Sequence, residues 1–146
     1  MSTPSRLTTP IRHYRDLVVW QRAMDLVAEA YQLTQQFPSE ERYGLAQQVK
    51  RSVVSIPSNI AEGHGRDHLG DYLRHLSIAN GSLMELETQF LIAVRLGYIE
   101  QNDATKLFEG TAQVGQLLAG LVRALKRRIP DTGPRTPGFT RATGRI

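Results

Sequence analysis

Apolar residues recur at intervals of three and four residues through most of this sequence, and that spacing is typical of helices that bury one face. Between residues 17 and 126 the only prolines are Pro38 and Pro57, and no segment alternates apolar and polar residues as a strand would. The length of 146 residues, 40% of them hydrophobic, suits one compact core. The sequence therefore predicts a single all-α domain.

Capping and helix-breaking residues divide the periodic region into four segments. Because the connections are short, consecutive helices should be antiparallel neighbours in an up-down-up-down four-helix bundle. The bundle is predicted to span residues 16–128, between a flexible basic N-terminal tail, 1–15, and a disordered basic C-terminal tail, 129–146. The predicted helices run from Asp16 to Gln36, from Ser39 to Gly63, from Asp67 to Gly97, and from Asn102 or Asp103 to Lys126.

The apolar stripe of each segment predicts which face is buried. Other apolar residues of the first helix lie off its stripe, and we expect some of them to meet another subunit. The fourth helix carries Gly110, Gly115 and Gly120, which indicate either a helix with few neighbours or the close approach of another helix or subunit. The first stripe comprises Trp20, Ala23, Met24, Val27, Tyr31 and Thr34, and the residues off it are Val18, Val19, Leu26, Ala28, Ala30 and Leu33.

Charge is distributed unevenly along the chain. The whole sequence has a net charge of +4, whereas residues 17–126 hold ten basic and twelve acidic side chains, a net charge of −2. Neither a run of about 18 apolar residues nor a secretory signal is present, so a cytoplasmic location is expected. The absence of cysteine excludes disulfides, thiol nucleophiles and cysteine-ligated zinc.

The second helix carries a polar stripe beside an apolar face of Val49, Val53, Ile56 and Ile60. Its proline lacks an amide hydrogen and predicts a kink, with Ser58 or Asn59 bonding the carbonyl left free near Val53. Ser82, Glu85 and Gln89 on the third helix form a matching polar set. We interpret the stripe as a buried network that fixes register or lines a subunit contact, with a ligand site as the alternative. The stripe comprises Gln48, Arg51, Ser52, Ser55, Pro57, Asn59 and Glu62.

Histidines at helical spacing offer a different hypothesis. His64, His68, Asp71 and His75 share a face, and neutral imidazoles with a carboxylate can bind zinc or iron. A metal-binding bundle using His68, Asp71 and His75 is therefore the alternative function. The Glu-x-x-His pattern of di-iron bundles is missing, however, and a solvated face near a helix start explains the spacing better. No Gly-x-Ser-x-Gly elbow occurs, so we predict neither an enzyme nor a cofactor.

The segment from Arg51-Ser52 through Ser55-Ile56-Pro57-Ser58-Asn59-Ile60-Ala61-Glu62-Gly63 resembles the signature block of the 23S ribosomal intervening-sequence proteins. Leu17 to Gln21, Tyr43 to Leu45, and Ala79 to Gln89 are also similar to that family, over about residues 14–126. The resemblance implies a bacterial four-helix bundle, typically a ring of five subunits, without established enzymatic activity. Some members are encoded within insertions in large-subunit ribosomal RNA genes. A related branch, the accessory proteins of diversity-generating retroelements, has a strongly basic folded surface and binds nucleic acid and a reverse transcriptase.

The sequence thus predicts a non-enzymatic, self-assembling bundle, a pentamer on the strength of the resemblance, that acts as an interaction module. RNA or DNA is its candidate partner, bound without sequence specificity and largely through the arginine-rich tails. No membrane or small-molecule partner is predicted. The candidate nucleic-acid contacts are Lys50, Arg51, Arg123, Lys126, Arg127, Arg128, Arg135, Arg141 and Arg145.

Overall fold

The structure, a computed structural model, describes residues 11–128 and confirms the all-α prediction. Within that range there is no strand, and each helix packs against the helices before and after it, with α1 and α4 closing the ring. This arrangement is consistent with an antiparallel up-down bundle. The predicted tails lie mostly outside the described residues. The helices are α1 (Val18–Thr34), α2 (Leu45–His64), α3 (Leu69–Arg95) and α4 (Gln101–Lys126), with single 3-10 turns at Tyr14–Asp16 and Ser39–Glu41.

The predicted cap of the first helix is wrong. The carboxylate of Asp16 accepts hydrogen bonds from the backbone amides of Arg12 and His13, both at 3.1 Å, and so closes the preceding 3-10 turn. These two amide donors hold the pKa of Asp16 below its usual value. Helix α1 begins two residues later, after Leu17, and has no side-chain cap.

The predicted starts of the later helices are also displaced. Helix α3 begins after His68 rather than after Asp67, and α4 begins at Gln101, before the predicted caps Asn102 and Asp103. Neither helix has a side-chain hydrogen bond at its N-cap. Packing of the apolar faces, not capping, therefore sets where these helices begin.

Helix α2 begins after a well-bonded turn. The amide of Leu45 donates to Oε1 of Glu41 at 2.8 Å, and the hydroxyl of Tyr98 donates to Oε2 at 2.7 Å. A Cβ on Gly44 would lie 2.5 Å from that Oε1, so a larger residue there would displace the carboxylate of Glu41. The bonds lower the pKa of Glu41, and the bond to Glu41 raises the pKa of Tyr98. They tie the α1–α2 and α3–α4 connections together.

The core of α2 is as predicted, whereas the buried face of α1 is rotated from the prediction. Val49, Val53, Ile56 and Ile60 are fully buried. On α1, however, Met24 is 44% exposed and Tyr31 is 39% exposed. The buried residues of α1 are Val19, Ala23, Leu26, Ala30 and Thr34.

This rotation has a physical cause in the contact between α1 and α4. A Cβ on Gly110 would lie 3.2 Å from the side chain of Leu26, so the glycine leaves room for that leucine. Gly115 similarly faces Leu83, whereas Gly120 has only Arg123 of its own helix nearby. Two of the three glycines of α4 therefore serve contacts inside the chain. Val19, Leu26 and Ala30 are likewise core residues, so Val18, Ala28 and Leu33 remain as the off-stripe residues that we expect to meet another subunit.

Helices α2 and α3 form the most extensive pair in the bundle. Near the end of α2, a Cβ on Gly63 would lie 2.8 Å from Cβ of His75 and 3.0 Å from Cδ1 of Tyr72. Helix α2 runs without a break through the buried Pro57. No helix among the described residues is long and apolar enough to cross a membrane.

We expect Gly63→Ala to lower the free energy of unfolding by about 1–3 kcal/mol, because the added methyl group overpacks the α2–α3 contact. Gly81→Ala is the matched control, since a Cβ there would meet nothing within 4 Å. It should raise the free energy of unfolding by about 0.5–1 kcal/mol through helix propensity. Urea denaturation measures both, and a Gly63→Ala protein as stable as the wild type would contradict the tight crossing.

Candidate functional site

A chain of polar side chains follows the contact between α2 and α3, as the stripe predicted. The side-chain amide of Asn59 donates to the carbonyl of Ser55 at 2.9 Å and to its Oγ at 3.0 Å. Ser55 Oγ also shares a hydrogen bond with Ser82 Oγ at 2.9 Å, in which either hydroxyl can donate. The predicted bond from Asn59 to the carbonyl near Val53 is wrong, because the amide reaches the carbonyl of Ser55 instead.

His75 extends this chain on the other side of Asn59. The side chain of Asn59 presents its oxygen to Nδ1 of His75 at 3.1 Å, so Nδ1–H is the donor of this hydrogen bond. The histidine is 5% exposed, and its Nε2 lies 4.0 Å from a carboxylate oxygen of Glu62. Glu62 itself is exposed and pairs with Arg66 at 2.6 Å. His75 is thus a network member rather than part of a solvated face.

An open groove, which we call the α2–α3 groove, is lined on α2 by four stripe residues, Gln48, Arg51, Ser52 and Ser55. It measures about 470 Å³, and Ser82, Glu85 and Gln89 form its α3 wall. Ser52 and Gln89 are buried, whereas Gln48 and Arg51 are exposed at the rim. The lining residues are Gln48, Arg51, Ser52, Ser55, Ser82, Glu85 and Gln89.

The metal-site hypothesis fails on this geometry. The described residues contain no group of three or more histidine, cysteine, aspartate or glutamate side chains that could hold a metal ion. His68 is exposed, the ring of His64 packs edge-on against Tyr72, and His75 is engaged with Asn59. Although His68, Asp71 and His75 have helical spacing, the start of α3 at Leu69 leaves His68 outside the helix.

Basic side chains collect at one end of the bundle, which we call the terminal end. It consists of the start of α1, the α2–α3 connection and the end of α4, counted to about two turns into each helix. Nine basic and four acidic residues lie there, whereas the rest of the described chain has five basic and nine acidic residues. The nine basic residues are Arg12, Arg15, Arg22, Arg66, Arg74, Arg123, Lys126, Arg127 and Arg128.

The predicted nucleic-acid contacts divide between two regions. Arg123, Lys126, Arg127 and Arg128 are exposed at the terminal end, and none of them has an ion-pair partner among the described residues. Burial raises the pKa of Tyr72 while the charge of Arg128 opposes that shift, which places the end of α4 beside the start of α3.

The two basic residues predicted on α2 lie away from that end. Lys50 sits over the ring of Tyr31, 5.2 Å from its centroid, and Arg51 lines the α2–α3 groove. Arg135, Arg141 and Arg145 lie outside the described residues.

The sequence analysis missed several residues of the terminal end and of the α2–α3 contact. Arg66 and Arg74 were not grouped with the end of α4, because residues distant in sequence share an end only after the topology is assigned. The sequence predicted only that Gly63 ends a helix. In the structure its missing side chain leaves room for His75, which bonds Asn59 at one end of the polar chain. The sequence signal for the terminal end is the set of basic residues on both sides of the α2–α3 connection and at the end of α4.

Comparison with known proteins places this architecture among related chains. A family model described as 23S rRNA-intervening sequence protein matches residues 15–120. The structure also resembles a crystal structure of a protein with unknown function from the S23 ribosomal protein family of Bacteroides thetaiotaomicron VPI-5482. That match has a TM-score of 0.67 and 20% identity, and covers 73% of this chain and 96% of the other, so it supports the fold. Comparison with curated proteins gives no match.

We expect Asn59→Ala to lower the free energy of unfolding by about 1–3 kcal/mol, because it leaves the buried Nδ1–H of His75 without an acceptor. The neighbouring Ser58→Ala is the control, since Ser58 is exposed and should change stability by no more than about 0.5 kcal/mol. Thermal and urea unfolding give the comparison. Equal effects of the two substitutions would mean that the polar chain does not stabilise the α2–α3 contact.

Proposed function

Because the chain belongs to the 23S rRNA-intervening sequence protein family, we propose that it is a non-enzymatic, self-assembling helical bundle whose terminal end binds the phosphates of RNA or DNA. The observation that supports this proposal best is the segregation of charge along the bundle axis. With five more basic than acidic residues at the terminal end and four fewer elsewhere, the described chain is bipolar. Such a field attracts a polyanion to one end and repels it from the other.

The topology adds further charge to the same end. Because the bundle has an even number of antiparallel helices, the chain enters and leaves it at the same end, the terminal end. The sequence beyond residue 128 contains Arg135, Arg141 and Arg145, and the sequence before residue 11 contains Arg6. These arginines belong to the sequence segments that continue from the terminal end, and we propose that they bind the same nucleic acid as the arginines of α4.

Binding of this kind should be insensitive to base sequence. Arginine and lysine contacts to phosphate position a protein on nucleic acid but read no sequence, since sequence is read from base edges or from nucleic-acid shape. The charges also lie at helix ends rather than along one helix face that could enter a groove. We therefore propose general phosphate recognition rather than a sequence-specific site.

Self-assembly is supported by apolar side chains that remain exposed on α3. Met84 is 58% exposed and Leu91 is 57% exposed, and they lie seven residues apart on one face of the helix. The exposure of Leu91 makes it available for contact with another subunit. We propose five subunits because the family resemblance implies that number. A ring would multiply weak phosphate contacts, since each further contact becomes intramolecular.

We expect nucleic-acid affinity to depend on the terminal end. Fluorescence anisotropy over a salt series should show a slope of log affinity against log salt that falls by about 0.9 for each phosphate contact removed. Replacing Arg123, Arg127 and Arg128 with glutamine should therefore reduce the slope on duplex DNA by up to about 3 units. Removing residues 130–146, with three more arginines, should produce a similar reduction.

A variant in which Arg42, Arg95 and Lys106 are replaced by glutamine is the matched control. It removes the same amount of charge outside the terminal end, so its slope should stay close to that of the wild type. An equal decrease of this slope in both triple variants would argue against a binding surface at the terminal end. Absence of binding by the wild type at low salt would remove nucleic acid from the proposal.

We also expect the wild-type chain of 16.4 kDa to sediment as a closed oligomer at micromolar concentration. Leu91→Lys should lower the sedimenting mass, because it places a charge on the exposed apolar face of α3. Met24→Lys, at a residue of α1 that is 44% exposed, should leave the mass unchanged. A monomeric wild type in sedimentation velocity would contradict self-assembly.

A further inference from the structure

The α2–α3 groove contains a buried polar atom without a partner. Gln89 is 7% exposed, and its Oε1 is the only fully buried side-chain nitrogen or oxygen among the described residues that makes no hydrogen bond. A buried acceptor that lacks a donor costs stability unless something supplies one. Gln89 also lines the groove, so this unpaired acceptor belongs to the groove wall.

The groove also carries two opposite charges that do not neutralise each other. Arg51 lies on the α2 wall and Glu85 on the α3 wall, and both are exposed. Neither takes part in any of the ion pairs found among residues 11–128. A molecule that has both a positive and a negative group can therefore bridge the two walls.

The floor between the charges is polar and large enough for a small molecule. The hydroxyls of Ser52 and Ser82 line it, and the volume of about 470 Å³ lies in the range of small-molecule sites. No aromatic residue lines the groove, so it offers no surface for stacking a nucleobase. Its single carboxylate, that of Glu85, does not suit a metal ion.

We propose that the α2–α3 groove binds a small zwitterion, of which a free α-amino acid is the simplest kind. The ammonium group pairs with Glu85 and donates to Oε1 of Gln89. The carboxylate pairs with Arg51, whose guanidinium suits that geometry. Ser52 and Ser82 bond the remaining polar atoms. This site is separate from the terminal end, so it does not depend on nucleic-acid binding at that end.

Titration of the full-length ¹⁵N-labelled protein with each of the common L-amino acids tests the proposal. At least one of them should shift the side-chain amide signals of Gln89 and Gln48 and raise the melting temperature. Acetate and methylammonium, which each carry one of the two charges, should bind far more weakly. If no amino acid shifts these signals, the proposal is wrong.

Variants of the charged walls identify the binding groups. Arg51→Gln and Glu85→Gln should each weaken binding by about tenfold or more, because each removes a charge-assisted hydrogen bond. Arg95→Gln and Glu100→Gln, at exposed residues outside the groove, should leave the affinity unchanged. If the groove variants instead change the sedimenting mass without affecting amino-acid binding, the groove is a subunit contact and the zwitterion site is overturned.

Gln89→Met gives an independent readout, since methionine has a similar length and no unsatisfied acceptor. This variant should raise the melting temperature of the ligand-free protein and abolish the response to the amino acid. A lower melting temperature for the ligand-free variant would show that Gln89 already has a partner, which would contradict the proposal.

Discussion

The close contact between α2 and α3 at Gly63 is the constraint on which the rest of the structure depends. Since this residue has no side chain, His75 of α3 lies against the backbone of α2. That proximity allows Asn59 to bond His75 and, through Ser55, to reach Ser82. The pair thus combines an apolar interior with a continuous polar chain at its edge. Polar chains of this kind specify one alignment of two helices, because a shifted register would leave buried donors and acceptors unpaired.

When α1 and α4 complete the bundle around this pair, charges that are unevenly spread along the sequence come to lie at opposite ends of the molecule. Residues 11–128 are nearly neutral as a whole. The topology nevertheless places the α2–α3 connection at the basic end of the bundle and the other two connections at the acidic end. At one end Glu41 and Tyr98 tie the loops together in an acidic setting. At the other end the exposed arginines of α4 lie beside the start of α3. The net charge does not show this separation. The proposed phosphate-binding surface depends on the separation of charge rather than on the net charge.

The sequence was sufficient for the fold class, for the number of helices and for the buried face of α2, because only one stripe of that helix is apolar. Helix α1 has two overlapping apolar stripes, and the choice between them depends on Leu26 fitting over Gly110, a contact between residues far apart in sequence. The burial of His75 could not be predicted for the same reason. The polar sets on α2 and α3 could be identified from the sequence, whereas the groove between them and the unpaired oxygen of Gln89 required side-chain positions.

Photo-cross-linking tests the central claim, that phosphates bind the terminal end, most directly. A nucleic acid with a photoreactive group on its backbone would be cross-linked to the full-length protein, and the attached peptides identified by mass spectrometry. We expect cross-links within residues 58–75 and 120–128 and in the arginine-containing segments next to them. Cross-links concentrated in residues 35–50 and 95–109, at the opposite end of the bundle, would contradict the account.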